Sequence, residues 1–245
     1  MKSLIFIFLF LLTHVLIASN SQNYLGTIGK YKVVFHLEKG NKNTVLGYYY
    51  YENRGINITI KGISNHNIIT IYEIDTKGDT SSIIKMKQLG NKLVGTWKKM
   101  KSKLTYNASL IETNYNIPDI PSNIEGVYVK DEETKCNLQL TISFSEGEFF
   151  YKLQTPSRTL SDKVSFFRDL DEQIVYINLD GIEWAESLGG IDENGNPKNP
   201  VNDTQKGIEG VLSGDSIYIQ NYGNSMNYYV KLAECEDKYL FLKKQ

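Results

Sequence analysis

The sequence predicts an all-β protein made of two small antiparallel meander β-barrels, or sandwiches, joined by a proline-containing linker. Apolar and polar residues alternate with a period of two over most of the chain, which is typical of half-buried strands. Gly and Asn interrupt these segments at short intervals, and helical periodicity is almost absent. Pro118 and Pro121 lie in a polar stretch, TNYNIPDIPSN, where strand pairing should stop.

The N-terminal segment 1–21 is typical of a secretory signal peptide. One basic residue precedes an apolar run over 4–12, and Ser19 and Ser21 form a small-x-small pair that permits cleavage before Gln22. The apolar run is shorter than the roughly 20 residues that a membrane-spanning helix needs, so we expect no retained membrane span. The mature chain should therefore be exported, to the periplasm or the extracellular space.

Segment 22–113 is expected to form the first barrel. In YKVVFHLE, one face is expected to carry Tyr31, Val33, Phe35 and Leu37, and the other Lys32, His36 and Glu38. Short turns make consecutive strands neighbours, and a closed barrel removes the exposed edges of such a meander. The expected strands are 24–29, 31–38, 44–52, 56–63, 68–75, 81–89, 92–100 and 103–112.

Segment 124–245 is expected to form the second barrel, after a linker over 114–123. Its apolar residues alternate in the same way, and Gly- or Asn-containing turns separate its strands. The expected strands are 124–133, 136–146, 148–155, 163–170, 172–184, 207–213, 216–222, 227–235 and 238–244.

The stretch LVGTW, over 93–97, is similar to the Gly-x-Trp motif that lipocalin- and avidin-type barrels carry on their first strand. Here it falls on the seventh expected strand. The likeness therefore concerns barrel architecture and implies no ligand or site.

Cys136 and Cys235 are the two cysteines of the chain, and both fall in the second barrel. An even pair of cysteines in an exported protein favours a disulfide bond. Two buried free thiols are the alternative.

Charge divides the chain into two unlike halves. Residues 20–117 hold fourteen Lys and Arg against six Asp and Glu, a net charge of +8, whereas residues 118–245 hold twelve against twenty-two, a net charge of −10. Complementary charge gives fast, salt-sensitive association. We therefore expect an anionic envelope polysaccharide as the partner of the basic barrel and a cationic protein, such as a basic secreted hydrolase that is inhibited, as the partner of the acidic barrel. Nucleic acid is the less expected partner.

The lysines of the first barrel concentrate in KMKQLGNKLVGTWKKMKSK, over 85–103, which covers three consecutive expected strands. They should form one patch. Aromatic rings beside such a patch suit a polyanionic chain, although charged barrel exteriors also serve solubility alone. The candidate binding residues of this barrel are Lys85, Lys87, Lys98, Lys99, Lys101, Lys103, Tyr48 and Tyr50.

Amide and phenol side chains crowd the stretch QNYGNSMNYY, which starts at Gln220. Gly223 and its Asn neighbours are expected to supply the left-handed backbone conformations that a tight reversal of the chain requires. The surplus amides of Gln220, Asn221 and Asn224 either bond the loop backbone or present neutral donors and acceptors to a polar ligand.

Enzyme motifs are largely absent, so we expect a binding protein without catalytic residues, metal or cofactor. The mature chain has two histidines, His36 and His66, and shows no P-loop, dinucleotide-binding glycine pattern, GxSxG or HExxH. The alternative is a carboxylate-based glycan hydrolase, in which Asp180 and Glu183 would act beside Trp184.

Three further possibilities stay open from the sequence. The loop DENGNPKNPVND, over 192–203, has oxygen-bearing side chains at alternate positions but lacks the central Gly of an EF-hand, so a long hairpin loop is favoured over a calcium site. Barrels of opposite charge also permit head-to-tail self-association. A barrel interior that holds a small apolar ligand is the third possibility.

Overall fold

The computed structural model describes residues 20–130, 136–188, 192–196, 198, 204–224 and 226–245. Apart from residues 20 and 21, the expected signal peptide lies outside the described residues. Within the described part of the chain, no helix has the length and apolar character needed to span a membrane.

The first barrel is closed and antiparallel, and it contains eight strands in chain order. Pairing of β1 with β8 closes the ring. A single 3₁₀ turn, Asn41–Asn43, connects β2 to β3. The strands are β1 (Asn20–Ile28), β2 (Tyr31–Lys39), β3 (Thr44–Tyr51), β4 (Ile58–Asn65), β5 (Ile68–Ile74), β6 (Thr80–Leu89), β7 (Lys92–Lys99) and β8 (Thr105–Thr113).

The core of the first barrel follows from the period-two alternation. On β2, Val33, Phe35 and Leu37 are buried in the apolar core. Phe35 stacks on Tyr49 of β3, with ring centroids 4.5 Å apart. Burial of each large apolar side chain stabilises the fold by about 1.5–3 kcal/mol relative to exposure. The register that the alternation predicts is therefore strongly enforced.

The second barrel is also closed and antiparallel, with eight strands in the ring and one strand outside it. Strands β9 to β15 follow one another around the ring, β17 closes it between β15 and β9, and β12 pairs with β13. The strands are β9 (Gly126–Lys130), β10 (Gln139–Ser145), β11 (Glu148–Gln154), β12 (Thr159–Asp169), β13 (Ile174–Leu188), β14 (Thr204–Ser213), β15 (Ser216–Gln220), β16 (Asn227–Tyr229) and β17 (Tyr239–Lys244). The predicted fold class is confirmed, and both units are barrels rather than sandwiches.

The segment 227–235 differs from the single strand expected there. Strand β16 covers only Asn227–Tyr229 and pairs with the end of β13. Among the described residues, the pairing of this segment with the residues that follow β15 is limited to one bridge, between Tyr222 and Val230, and a few backbone hydrogen bonds. The chain then turns inward, because Leu232 and Cys235 are buried in the core and the amide of Cys235 donates to the carbonyl of Leu232 at 3.1 Å. Burial of these two side chains outweighs continued strand pairing.

The disulfide expected between Cys136 and Cys235 is present. It joins positions 99 residues apart whose Cα atoms are 5.1 Å apart. Both cysteines belong to the buried core of the second barrel, beside Leu138 and Leu232. The disulfide segment therefore closes one end of this barrel.

The other end of the second barrel is closed by residues that precede it in the chain. Ile56, in the connection between β3 and β4, and Ile120, between β8 and β9, pack against the apolar core of the second barrel. The amide of Phe166 on β12 donates to the carbonyl of Arg54 at 2.9 Å. Gly55 is buried beside Phe166, where a side-chain carbon would overlap the carbonyl oxygen of Phe166. The β3–β4 connection therefore joins the two barrels.

Candidate functional site

The candidate lysines of the first barrel are exposed on β6, on β7 and in the turn that follows β7. Lys85 and Lys87 point outward from β6, and their partners on β7 are Thr96 and Val94. Lys98 points outward from the same side of β7. The side chains of all six candidates are exposed, and we call them the lysine face: Lys85, Lys87, Lys98, Lys99, Lys101 and Lys103.

The lysine face has no acidic counterpart. Strands β6 and β7 contain no Asp or Glu. Of the strands that flank them, β5 carries Glu73, which is buried inside the barrel, and β8 carries Glu112, which accepts a hydrogen bond from the Gln22 amide at 3.0 Å. No lysine of this face forms an ion pair with a carboxylate among the described residues. By contrast, Lys130, Lys163 and Lys206 of the second barrel each pair with a carboxylate. The positive charge of the face is therefore uncompensated.

Tyr48 and Tyr50 also point outward, but they lie away from the lysine face. Strand β3 is four strands from β7 around an eight-stranded ring, so the two sets occupy opposite sides of the barrel. The Arg168 guanidinium of the second barrel lies 4.1 Å from the ring centroid of Tyr50 and 5.8 Å from that of Tyr48. Burial raises the pKa of each phenol to about 12. These tyrosines contact the second barrel, and the structure does not bring them together with the lysines.

Arg168 joins the two barrels by hydrogen bonds to neutral groups. Its guanidinium donates to the carbonyl of Gly55 at 2.7 Å, to Oδ1 of Asn57 at 2.6 Å and to the carbonyl of Pro118 at 3.2 Å. The residue is only 5% exposed, and burial lowers the pKa of its guanidinium. Stacking on Tyr50 compensates part of the cost of burying this charge.

The amides of the 220–224 stretch bond the protein itself. Asn221 is fully buried, and its Nδ2 donates to the carbonyls of Leu232, Cys235 and Asp237 at 2.9–3.1 Å. Its Oδ1 accepts from the amide of Leu232 at 2.8 Å. Asn224 accepts from two backbone amides of its own turn, and Gln220 donates to the carbonyl of Tyr222. The structure places these three side chains in internal hydrogen bonds.

The residues of the hydrolase alternative also have other partners. Asp180 accepts hydrogen bonds from Ser165 at 2.7 Å and from Asn178 at 2.6 Å. Glu183 is exposed and lies 3.3 Å from the Lys206 ammonium. The Trp184 indole donates to the carbonyl of Gly207 at 2.7 Å. No feature of these contacts favours a pair of catalytic carboxylates.

The candidate calcium loop, 192–203, is described only over 192–196 and at 198. There Asp192 accepts from the amides of Asn194 and Asn196, and the amide of Asn196 lowers the pKa of this exposed carboxyl. These bonds are typical of a turn. Across the described residues, no group of three or more His, Cys, Asp or Glu is arranged to hold a metal ion.

A cleft of about 570 Å³ lies between the barrels and was not expected from the sequence. The β3–β4 connection, with Arg54 and Ile56, forms one wall together with the start of β4. The β10–β11 hairpin forms the other wall, with Phe144 and Glu148. Glu73 of β5 also lines the cleft. Apolar walls with a few converging polar groups are typical of ligand sites.

Glu73 is a buried carboxylate whose partners are all neutral. It accepts hydrogen bonds from the Tyr49 hydroxyl, the Trp97 indole and, at 3.2 Å, the Ser81 hydroxyl. No Lys or Arg among the described residues forms an ion pair with it. The sequence does carry a signal for this residue, because Glu73 continues the inward face of Ile69 and Ile71. An acidic residue at a position where the alternation predicts an apolar one indicates a site that departs from the local pattern for a structural or functional reason.

Comparison with protein-family models, curated proteins and solved structures finds no match for this chain. The lysine face and the cleft are therefore the features of the molecule that bear on its function.

Proposed function

We propose that this chain is an exported, non-enzymatic binding protein whose lysine face holds an anionic polysaccharide. The observation that supports the proposal most directly is the uncompensated charge of the face. Six exposed lysines lie on β6, β7 and the following turn, with no described carboxylate in ion-pair range. A solubilising surface needs interspersed charges of both signs, whereas a one-signed surface attracts a polyanion.

Export is part of the same proposal. The segment 1–21 has the layout of a signal peptide, and a disulfide such as that between Cys136 and Cys235 persists in oxidising compartments. The proposal also assigns a cationic protein to the acidic half of the chain, for example a basic secreted hydrolase that is inhibited. No specific contact favours the hydrolase alternative.

The test is a binding titration of the chain from Gln22 onward against heparin and polygalacturonate over a series of salt concentrations. The variant Lys85→Gln/Lys87→Gln/Lys98→Gln should bind both polymers more weakly, with a salt slope smaller by about one unit for each lysine that contacts the polymer. The matched control is Lys39→Gln/Lys42→Gln/Lys77→Gln, which removes the same charge from exposed positions outside the face.

Equal losses in the two triple variants would show that net charge alone drives binding, and would overturn the lysine face as a site. A single-stranded oligonucleotide serves as a competing probe. If the oligonucleotide binds more tightly than both polysaccharides at every salt concentration, the assignment to polysaccharide fails.

A further inference from the structure

We propose that the cleft between the barrels takes a basic side chain, Arg or Lys, presented by a cationic partner protein. The inference rests on the part of the proposed function that gives this chain a cationic partner, and it does not depend on the lysine face. It names the site at which that partner is recognised.

The walls of the cleft match the apolar stem of such a side chain. Ile56, Ile58 and Tyr51 line the side formed by the first barrel, and Phe144 lines the side formed by the second. Phe144 is 40% exposed and packs on Phe149 with ring centroids 4.7 Å apart. Long basic side chains bury their methylene stems against apolar surface while the charged end reaches a polar group.

The charges of the cleft match the cationic end. Glu73, Asp75, Glu146 and Glu148 line it, against one cation, Arg54. That cation is already engaged. Its two terminal nitrogens lie 3.5 Å from the carboxylate of Glu148 and 3.6 Å from that of Asp180, which stands outside the lining. Glu148 is also paired with the ammonium of Lys163. No Lys or Arg among the described residues forms an ion pair with Glu73, Asp75 or Glu146, so the cleft retains an excess of negative charge.

Glu73 provides the specific anchor. A carboxylate has about four acceptor positions, and Glu73 uses three of them on the neutral donors Tyr49, Trp97 and Ser81. A buried charge without an opposite charge is costly, and pairing offsets that cost. A guanidinium or ammonium entering the cleft would supply the missing counter-charge.

A second cavity of about 290 Å³ lies beside the cleft along the junction of the barrels. The two cavities share Ile56, Asn57 and Phe144, and the second one extends to Ile120 and Pro121 in the linker. Room on both sides of Phe144 suits a side chain carried by a polypeptide rather than a free amine. The occupant is therefore assigned as a segment of a protein.

The test uses a capped Gly-Gly-Arg-Gly-Gly peptide and its citrulline analogue, which has the same shape without the charge. Calorimetric titration of the chain from Gln22 onward should show the arginine peptide binding about tenfold more tightly or better, since loss of one partner of a desolvated charge pair is costly. Binding should also shift the indole N–H resonance of Trp97, which donates to Glu73 and is one of two tryptophans in the chain.

Three variants locate the site. Glu73→Gln and Thr76→Arg should each weaken binding of the arginine peptide about tenfold or more, the first by removing the anchor and the second by placing an internal cation at the edge of the cleft. Glu209→Gln, an exposed acid on β14, is the control and should bind normally. Because Thr76 is exposed in a turn, its variant keeps the test decisive even if Glu73→Gln fails to fold.

Two results would overturn the proposal. Equal binding of the citrulline peptide would show that charge is not recognised. Capped arginine alone binding as tightly as the peptide would assign the cleft to a free cation and remove the protein partner. Neither result bears on the lysine face, whose test uses different variants and polyanionic probes.

Discussion

At the scale of single residues, two charged side chains on inward faces give the molecule its most specific contacts. Glu73 follows Ile69 and Ile71 on the inward face of β5, and Arg168 follows Phe166 on that of β12. Each continues an apolar row at a point where the strand is about to end. At such positions the charged group faces the junction between the barrels and is shielded from solvent.

Asn221 is expected to matter for stability rather than for binding. Its side chain makes four hydrogen bonds to the backbone of the segment that leads into and out of Cys235. Asn221→Ala should lower the free energy of unfolding by about 2–4 kcal/mol, because buried backbone groups lose their partners. Urea denaturation followed by tryptophan fluorescence measures this loss.

The control for Asn221 is Asn224→Ala in the same loop. Asn224 is exposed and bonds only its own turn, so its loss should cost about 1 kcal/mol or less. Similar losses in the two variants would mean that the buried amide is not a structural anchor.

At the scale of elements, the alternation pattern predicted most of the strands. The expected segments 31–38 and 92–100 correspond to β2 (Tyr31–Lys39) and β7 (Lys92–Lys99). Such strands are predictable because burial of one face fixes both their existence and their register. The outward orientation of Lys85 and Lys87 was predictable for the same reason, because they alternate with the apolar residues of β6.

Long-range partners could not be predicted in this way. The sequence shows that Tyr48 and Tyr50 share a face, but not that Arg168 of the other barrel covers that face. Gly223 was expected to supply a left-handed conformation. Its φ angle is not positive, and Gly is needed because a side-chain carbon would overlap the carbonyl oxygen of Asn227. Contacts of this kind depend on how separate elements meet.

The disulfide is expected to stabilise the closed end of the second barrel. Cys136→Ser/Cys235→Ser should lower the free energy of unfolding by about 2–4 kcal/mol, because the bond restricts a long loop in the unfolded chain. Denaturation of the parent chain with and without dithiothreitol gives the comparison. The reduced parent should resemble the double variant, and an unchanged midpoint in both would contradict a stabilising role. Binding of heparin should be retained, since the lysine face lies in the other barrel.

At the scale of the whole molecule, the two ends of the second barrel are closed by different means. The disulfide segment covers one end, and Ile56 and Ile120 cover the other. The first barrel thus supplies part of the core of the second. Stability of the second barrel should depend on the contact between them.

Gly55→Ala is expected to reveal this dependence, with Gly90→Ala as its matched control. Both glycines have left-handed backbone, with φ angles of 66° and 62°, so each substitution should cost about 1–2 kcal/mol from conformation alone. Only at Gly55 would the added carbon meet another chain segment, at the carbonyl of Phe166. Overpacking there should add about 1–3 kcal/mol.

Urea denaturation of the two glycine variants and the parent measures the difference. If Gly55→Ala and Gly90→Ala lose the same stability, the contact between the barrels contributes nothing to the folded state. If the larger loss at Gly55 is found, small-angle scattering should also show a larger radius for that variant.

The closure of the second barrel by Ile56 gives folding a direction during synthesis. Domains generally fold as they emerge, the N-terminal one first. The first barrel contains both of its closing strands, β1 and β8, before residue 114 is made. Its β3–β4 connection is then already folded when the second barrel emerges. Ile56 of this connection can therefore cover the end of the apolar core of the second barrel. The order of the two barrels along the chain therefore favours folding of the second barrel onto the first. A permuted gene that encoded the second barrel first would produce a nascent barrel with an open, aggregation-prone end.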